Sequence, residues 1–295
     1  MTGSSISIIV PAHNAGDHLS RCIQALERDR SRIEEIIVVD DASTDDTAAL
    51  AEQHGARVFT LSGNGGPSRA RNLGAAEARG DILFFVDADV AVHTGAVERV
   101  RSFFDTHPET AALFGSYDAD PFEKGTITQY RNLVHHFVHQ QGREEASTFW
   151  AGCGAVRRKI FRDMGGFDGL RFPRCIEDIE LGYRLRQKGY AIRLDHELLC
   201  THLKRWTFIS LIKTDVFCRA IPWAKLIFER EFAPDDLNIK KSQKLSVILV
   251  GLALLGLLLA LWRPGFLPVT FAACVLAVFL NGKLFKLFFS RHGPG

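Results

Sequence analysis

The sequence predicts an α/β domain built on a mostly parallel sheet, followed by a membrane-directed C-terminal segment. Three observations lead there. Short apolar strands alternate with segments whose apolar residues recur at helical spacing. Acidic and amide side chains fall just past the ends of those strands. Two long uncharged runs lie near the end of the chain.

Ser5 to Val10 alternates and then turns fully apolar, as a buried strand does. Leu19, Cys22, Ile23 and Leu26 place a helix over 17–29. Glu35 to Val39 is the next strand, and Ser43-Thr44-Asp45-Asp46 can cap a helix running to about His54. Ala56 to Leu61 reads as a short strand, Pro67 to Ala78 as a helix, and Asp81 to Val86 as another buried strand. Short links between alternating strands and helices predict a largely parallel sheet, with ligands at the carboxyl ends of its strands. Asn14, Asp40, Asp41, Asp87 and Asp89 fall at those ends. The stretch Asn64 to Asn72 is dense in glycine and then turns helical. Its backbone amides and Arg69 and Arg71 suit a phosphate, but it lacks the lysine and spacing of a P-loop.

Residues 121–149 are polar and carry His135, His136 and His139. A three-histidine metal site is conceivable there, and an acceptor-side loop or helix is the preferred reading. Trp150-Ala151-Gly152-Cys153-Gly154 sets small residues beside a bulky one, and Gly152 gives a ligand room for close approach. Glu177-Asp178 opens a helix over 179–187, where helix-end amides stabilise carboxylates.

Composition narrows the class. The chain has 295 residues, a mass of 32.9 kDa, 46% apolar and 24% charged residues, which excludes a wholly disordered protein. The six cysteines are scattered with no Cys-x-x-Cys pair, against a disulfide scaffold or a cysteine-only zinc site; free thiols suit a reducing compartment. The net charge of +2 hides an asymmetry: residues 1–120 hold 10 basic and 19 acidic side chains, whereas Leu237 onward holds seven basic and none acidic. Those basic residues flank apolar runs, which favours a membrane over nucleic acid.

Leu245 to Trp262 and Pro264 to Gly282 are 18 and 19 residues without a charge, each just long enough to cross a bilayer. Lys240, Lys241 and Lys244 precede the first run, and Lys283, Lys286 and Arg291 follow the second. This bias places both ends in the cytoplasm. Residues 207–233 mix apolar and basic side chains, with Phe208, Ile212 and Val216 at spacing four, as in helices lying in the interface plane. No signal peptide is read at the N-terminus, so the first domain is expected in the cytoplasm, held at the cell membrane. Gly251 and Gly256 could let the hairpin pack against a partner, a second copy included.

In order, these motifs resemble those of the family 2 inverting glycosyltransferases of GT-A fold, over roughly residues 5–206. They are Pro11-Ala12-His13-Asn14-Ala15, Asp40 to Asp45, Gly66 to Asn72, Asp87-Ala88-Asp89, Trp150 to Gly154, Glu177-Asp178 and His202. The resemblance implies a GT-A domain over 1–206, and the apolar and basic patterning beyond it gives interfacial helices over 207–240 and a transmembrane hairpin with a basic tail over 241–295. It implies that Asp41 reads the donor base, that Pro11 forms part of the base-binding wall, and that Asn14, Arg71 and Gly152 belong to the donor pocket. Asp87 would serve the ribose, Asp89 and His202 a divalent Mn²⁺ or Mg²⁺, and Asp178 would be the general base. Lys204-Arg205-Trp206 matches only the end of the Q-x-x-R-W motif of polymerising members, which argues against a processive synthase.

The expected reaction is metal-dependent, inverting transfer from a UDP-linked sugar to a membrane lipid or lipid-linked sugar. Transfer to polyprenyl phosphate is the close alternative. A non-catalytic, membrane-anchored nucleotide-sugar-binding module and a nucleotidyltransferase are further readings; the latter lacks its expected Gly-rich basic loop near the first strand.

Overall fold

The computed structural model describes residues 3–230, 237 and 240–292. Two compact units divide the chain, Met1–Glu231 and Phe232–Gly295. Parts of the expected interfacial segment and basic tail, at 231–236, 238–239 and 293–295, lie outside the described residues.

The first unit begins with the predicted alternation. It runs β1 (Ile6–Ala12), α1 (Gly16–Glu27), β2 (Glu35–Asp40), α2 (Thr47–Gln53), β3 (Arg57–Thr60), α3 (Pro67–Glu77) and β4 (Ile82–Val86). Ile6 to Val10 and Ile82 to Val86 are buried throughout, as strands covered on both faces must be. Leu19, Cys22, Ile23 and Leu26 form the buried stripe of α1 and join the core formed by Ile8, Val10, Val38 and Phe84. There follow β5 (Val90–Val92), α4 (Ala96–Thr106), β6 (Thr110–Tyr117), α5 (Thr126–Gln140), β7 (Cys153–Arg157), α6 (Arg158–Asp163), α7 (Glu177–Gln187) and β8 (Ala191–His202).

The eight strands form one sheet in the order β3-β2-β1-β4-β7-β6-β8-β5. Its first half, β3-β2-β1-β4, is parallel as expected. The second half is mixed. β7 runs antiparallel to both β4 and β6, β5 runs antiparallel to β8, and only β6 and β8 are parallel there. The sheet is therefore less uniformly parallel than the alternation suggested. The cause is local: β7 enters after α5 and a long loop, with no crossover helix directly before it, and no rule then forces a parallel strand. One result is that the β4–β5 turn and the end of β8 come together, with Val90 opposite His202.

After β8, α8 (Phe208–Lys213), a π-helical segment (Thr214–Ala220) and α9 (Ile221–Arg230) follow without a break. Leu211, Trp223 and Leu226 are buried, and the Trp223 indole N–H donates to the Tyr183 hydroxyl at 2.8 Å. Phe208, Ile209, Ile212, Phe217 and Ile221 are exposed. The wider π turn lets the apolar stripe continue from Phe217 toward Ile221.

The second unit contains α10 (Lys241–Ala260), a 3-10 turn (Pro264–Phe266), α11 (Leu267–Leu280) and α12 (Gly282–His292). Among the described residues, α10 is the one helix that is by itself long and apolar enough to cross a membrane. The second uncharged run is helical from Pro264 to Leu280 and is by itself too short to pass as a span; a 66° bend at its end separates it from the charged helix that begins at Gly282. The expected basic tail is thus helical over Gly282–His292. Asn281 terminates α11, and its side-chain amide donates to Ser246 Oγ at 2.7 Å and to the Ala277 carbonyl at 2.8 Å. Gly256, expected to accommodate a partner, faces α11 of its own chain. A Cβ there would lie 2.3 Å from Thr270 Oγ1, whereas Gly251 has open space.

Candidate active site

The predicted polar residues converge at the carboxyl ends of the parallel strands. Pro11 pairs with Val39 in the β1–β2 ladder, and Asn14 follows it. The Asn14 side-chain Oδ1 accepts from the Thr44 backbone amide at 2.8 Å, and the Asn14 backbone amide donates to Ser43 Oγ at 2.9 Å. His13 Nδ1 lies 2.8 Å from the Asp41 carbonyl. Asn14 and Ala42 hold positive φ of 49° and 57°, a local cost that recurs at functional turns.

Both carboxylate oxygens of Asp41 accept backbone amides, Gly65 at 2.6 Å and Gly66 at 2.7 Å. The β2 end is thereby fastened to the start of α3. Gly66 sits at φ +83°, and a Cβ there would lie 2.2 Å from the Pro173 carbonyl, so glycine is required. The family resemblance gives Asp41 to the donor base, and the sequence offers the Asn64–Asn72 stretch, through its amides and Arg69 and Arg71, to a phosphate. The structure pairs Asp41 with the Gly65 and Gly66 amides of that stretch.

One turn along α3, Arg71 is buried between two carboxylates. Its Nη2 donates to Asp87 at 2.6 Å and its Nη1 to Glu177 at 2.5 Å. The sequence assigned Arg71 to the donor, and its partners are internal. Glu177 is the residue that the sequence reading underweighted; its value as a counter-ion depends on a contact 106 positions away. Burial pushes the Glu177 carboxyl up to about 7, against the opposing pull of Arg71.

Asp178 follows Glu177 in the first turn of α7. Its Oδ2 accepts the Ala151 amide at 3.1 Å and its Oδ1 the Ile179 amide at 2.8 Å. Burial raises its pKa above the ordinary aspartate value, although Arg71 and these amides act in the other direction. Ile176, just before this turn, is held at φ +57°, a costly conformation for a β-branched residue. Gly152 completes the link: its carbonyl accepts the Asp87 amide at 3.1 Å, and a Cβ on it would lie 2.7 Å from the Trp150 indole. Backbone and side-chain bonds therefore connect Asp87, Arg71, Glu177, Asp178 and the 150–152 segment.

Asp89 and His202 face each other across the β5–β8 pair, with Oδ2 and Nε2 3.8 Å apart. That separation is too long for a direct hydrogen bond. Burial alone would raise Asp89, but the His202 imidazole and the Lys204 charge outweigh it and hold the carboxyl down to about 2. His202 is 3% exposed, stacks on Tyr117 at 4.4 Å, and its Nδ1 has no hydrogen-bond partner. Tyr117, also missed from sequence, backs the histidine from β6.

His135, His136 and His139 do not assemble a metal site; no group of three or more metal-ligating side chains occurs among the described residues. His136 and His139 place Nδ1 2.8 and 2.9 Å from the Tyr117 and Gly115 carbonyls and so tie α5 to β6. A carboxylate and an imidazole remain at Asp89 and His202. This mixed oxygen and nitrogen set fits a divalent ion that completes its shell with ligand oxygens, Mn²⁺ more readily than Mg²⁺.

A mixed α/β sheet of this order, with acidic side chains gathered at its carboxyl ends, defines a GT-A-like domain. The pattern of glycosyl transferase family 2 matches residues 7–165, more than half of the chain, and the chain belongs to that family. It is a glycosyltransferase. Among curated relatives, the O-antigen chain rhamnosyltransferase WbaN of Salmonella anatum is 26% identical over 76% of this chain and 75% of its own length. Glycosyltransferase GlyG of Streptococcus pneumoniae is 33% identical over 57% of this chain and 61% of its own length. Among solved structures, the mannosyltransferase PcManGT of Pyrobaculum calidifontis, in complex with GDP-Man and Mn²⁺, shares the fold over 95% of this chain and 88% of its own, with a TM-score of 0.62 and 18% identity. A fragment of S. aureus TarS in complex with UDP-GlcNAc does so over 69% of this chain and 59% of its own, with a TM-score of 0.53 and 20% identity.

Proposed function

We propose that the protein transfers a sugar, with inversion, from a UDP-linked donor to a hydroxyl of a membrane lipid or lipid-linked sugar at the cytoplasmic face of the cell membrane. The observation that carries this reading is the bonded chain from Asp87 through Arg71 and Glu177 to Asp178, beside the Asp89–His202 pair. It gives one end of the sheet both a charge-stabilising and a proton-accepting group.

Asp178 is the general base. Its two amide bonds fix the carboxylate's direction, and its raised pKa brings it closer to the pH at which an acceptor proton is taken. As the acceptor oxygen attacks the anomeric carbon, its proton passes to Asp178, and the bond to the nucleoside diphosphate breaks on the opposite face. Arg71 keeps Asp87 and Glu177 in register and lowers the repulsion that Asp178 would otherwise meet. Asp89 and His202 would hold Mn²⁺ or Mg²⁺, which supplies charge neutralisation for the leaving diphosphate. Asn14 and Asp41 act by shaping the donor-side turns, with Pro11 and Gly152 lining them. The α10–α11 hairpin supports membrane attachment through its large exposed apolar side chains, its flanking lysines and its lack of acidic residues, and the α8–α9 stripe adds exposed Phe208, Ile209, Ile212, Phe217 and Ile221.

The test is sugar transfer by the full-length protein, with several nucleotide sugars, membrane lipid extract and Mn²⁺, read by mass spectrometry. Transfer to a lipid-linked hydroxyl that chelator abolishes supports the reading. Transfer to polyprenyl phosphate that survives Asp178→Asn would replace it with the phosphate acceptor, because an ionised phosphate needs no base.

A further inference from the structure

We propose that α12 is an in-plane helix that rests on the anionic headgroups at the hairpin's basic end, neither a loose tail nor the continuation of a span. The proposal rests on the membrane reading of the hairpin.

The first argument is direction. The stretch 264–280 and the stretch 282–291 are bent by 66°. A helix that crosses a bilayer tilts on average by about 20° from the normal, so a helix at this angle to it runs close to the surface. The bend is held in place. Asn281 closes α11, and its amide reaches across to Ser246 in the second turn of α10.

The second argument is level. The Asn281–Ser246 bond sets the start of α12 beside the start of α10. Lys241 and Lys244 on α10, and Lys283 and Lys286 on α12, therefore gather at the same end of the hairpin. No acidic residue occurs from Leu237 onward to neutralise them. Counting α12 as part of the spanning segment would instead place Lys283 and Lys286 within hydrocarbon, where lysine is strongly disfavoured.

The third argument is the division of faces. Leu284, Phe285, Leu287, Phe288 and Phe289 cover a broad arc of the helix, which Arg291 also enters at its end, while Lys283, Lys286 and Ser290 fall together on the opposite side. Phe285 and Phe289, four residues apart, are 40% and 67% exposed. Large aromatics opposite lysines are the pattern of a helix seated at the boundary between headgroups and acyl chains. The surplus of positive charge selects anionic lipid, about 1 kcal/mol for each lysine near such a surface.

The experiment uses the full-length chain in phosphatidylcholine vesicles, with or without phosphatidylglycerol. Nitroxides at Phe289→Cys, Lys286→Cys and Leu276→Cys, in a chain whose own cysteines are serine, report depth by oxygen and nickel-chelate accessibility. The expected result is a deep label at 276, a shallow buried label at 289 and a water-accessible label at 286. Equal water exposure at 286 and 289 with 276 deep overturns the proposal and leaves the hairpin reading standing. Equal depth at all three also overturns it, in favour of a continued span. A water-exposed label at 276 refutes the hairpin reading itself. Because six serines could impair folding, the wild-type chain gives a second measurement. Tryptic cleavage after Lys283 and Lys286 should slow about tenfold when phosphatidylglycerol is present, and an unchanged rate overturns the choice of anionic lipid.

Discussion

Arg71 separates structural necessity from chemistry at the scale of single residues. Its guanidinium is surrounded by Asp87 and Glu177 and reached by the charge of Asp178. Arg71→Met leaves these carboxylates without their cation and should cost roughly 3–5 kcal/mol of unfolding free energy, measured by urea titration. Arg71→Lys should recover only part of it, since an ammonium cannot span both acids in the same geometry. Glu177 gives a pH signature. Its pKa rises from 4.5 to about 7 on folding, so between those values the folded chain binds more protons than the unfolded chain. Its contribution to stability is full below pH 4.5 and is lost as pH rises through about 7. Glu177→Gln should flatten that part of the stability profile, and an unchanged slope would show that Glu177 titrates normally.

At the scale of elements, what the sequence made legible follows the range of the interactions. β1, β2, β4, α1 and α3 are written in local apolar periodicity and emerged within a few residues of their predicted bounds. β7 is short and contains glycine, and its antiparallel place is set by pairing with Val86 and Phe114, remote positions that no local pattern encodes. The residue types at the site were likewise readable, whereas their bonds were not: Asp41 with the 65–66 amides, Arg71 with Glu177, and His202 on Tyr117 each join distant segments. The Asp41 contact predicts that Gly66→Ala displaces the 64–66 turn. Donor KM should then rise about tenfold or more and the unfolding midpoint should fall as well, since the added Cβ meets the Pro173 backbone and both segments must shift. In the hairpin, Gly256→Leu should part α10 from α11 through Thr270 and lower the thermal stability of the membrane-reconstituted chain. Gly251→Leu, where there is open space, should leave it unchanged.

At the scale of the molecule, the charge asymmetry and the two units point the same way. An acidic N-terminal part carries the site, and a basic C-terminal part carries the apolar helices. The full chain should stay with the membrane pellet after an alkaline carbonate wash; recovery in the wash would contradict attachment through α10 and α11. The central claim is that Asp178 takes the acceptor proton within a site that otherwise binds donor unaided. Its most direct test is kcat together with donor Kd for Asp178→Asn, on a hydroxyl acceptor with Mn²⁺ present. The account predicts a fall in kcat of about 10²–10⁴ with donor Kd unchanged. Transfer at the wild-type rate would contradict it.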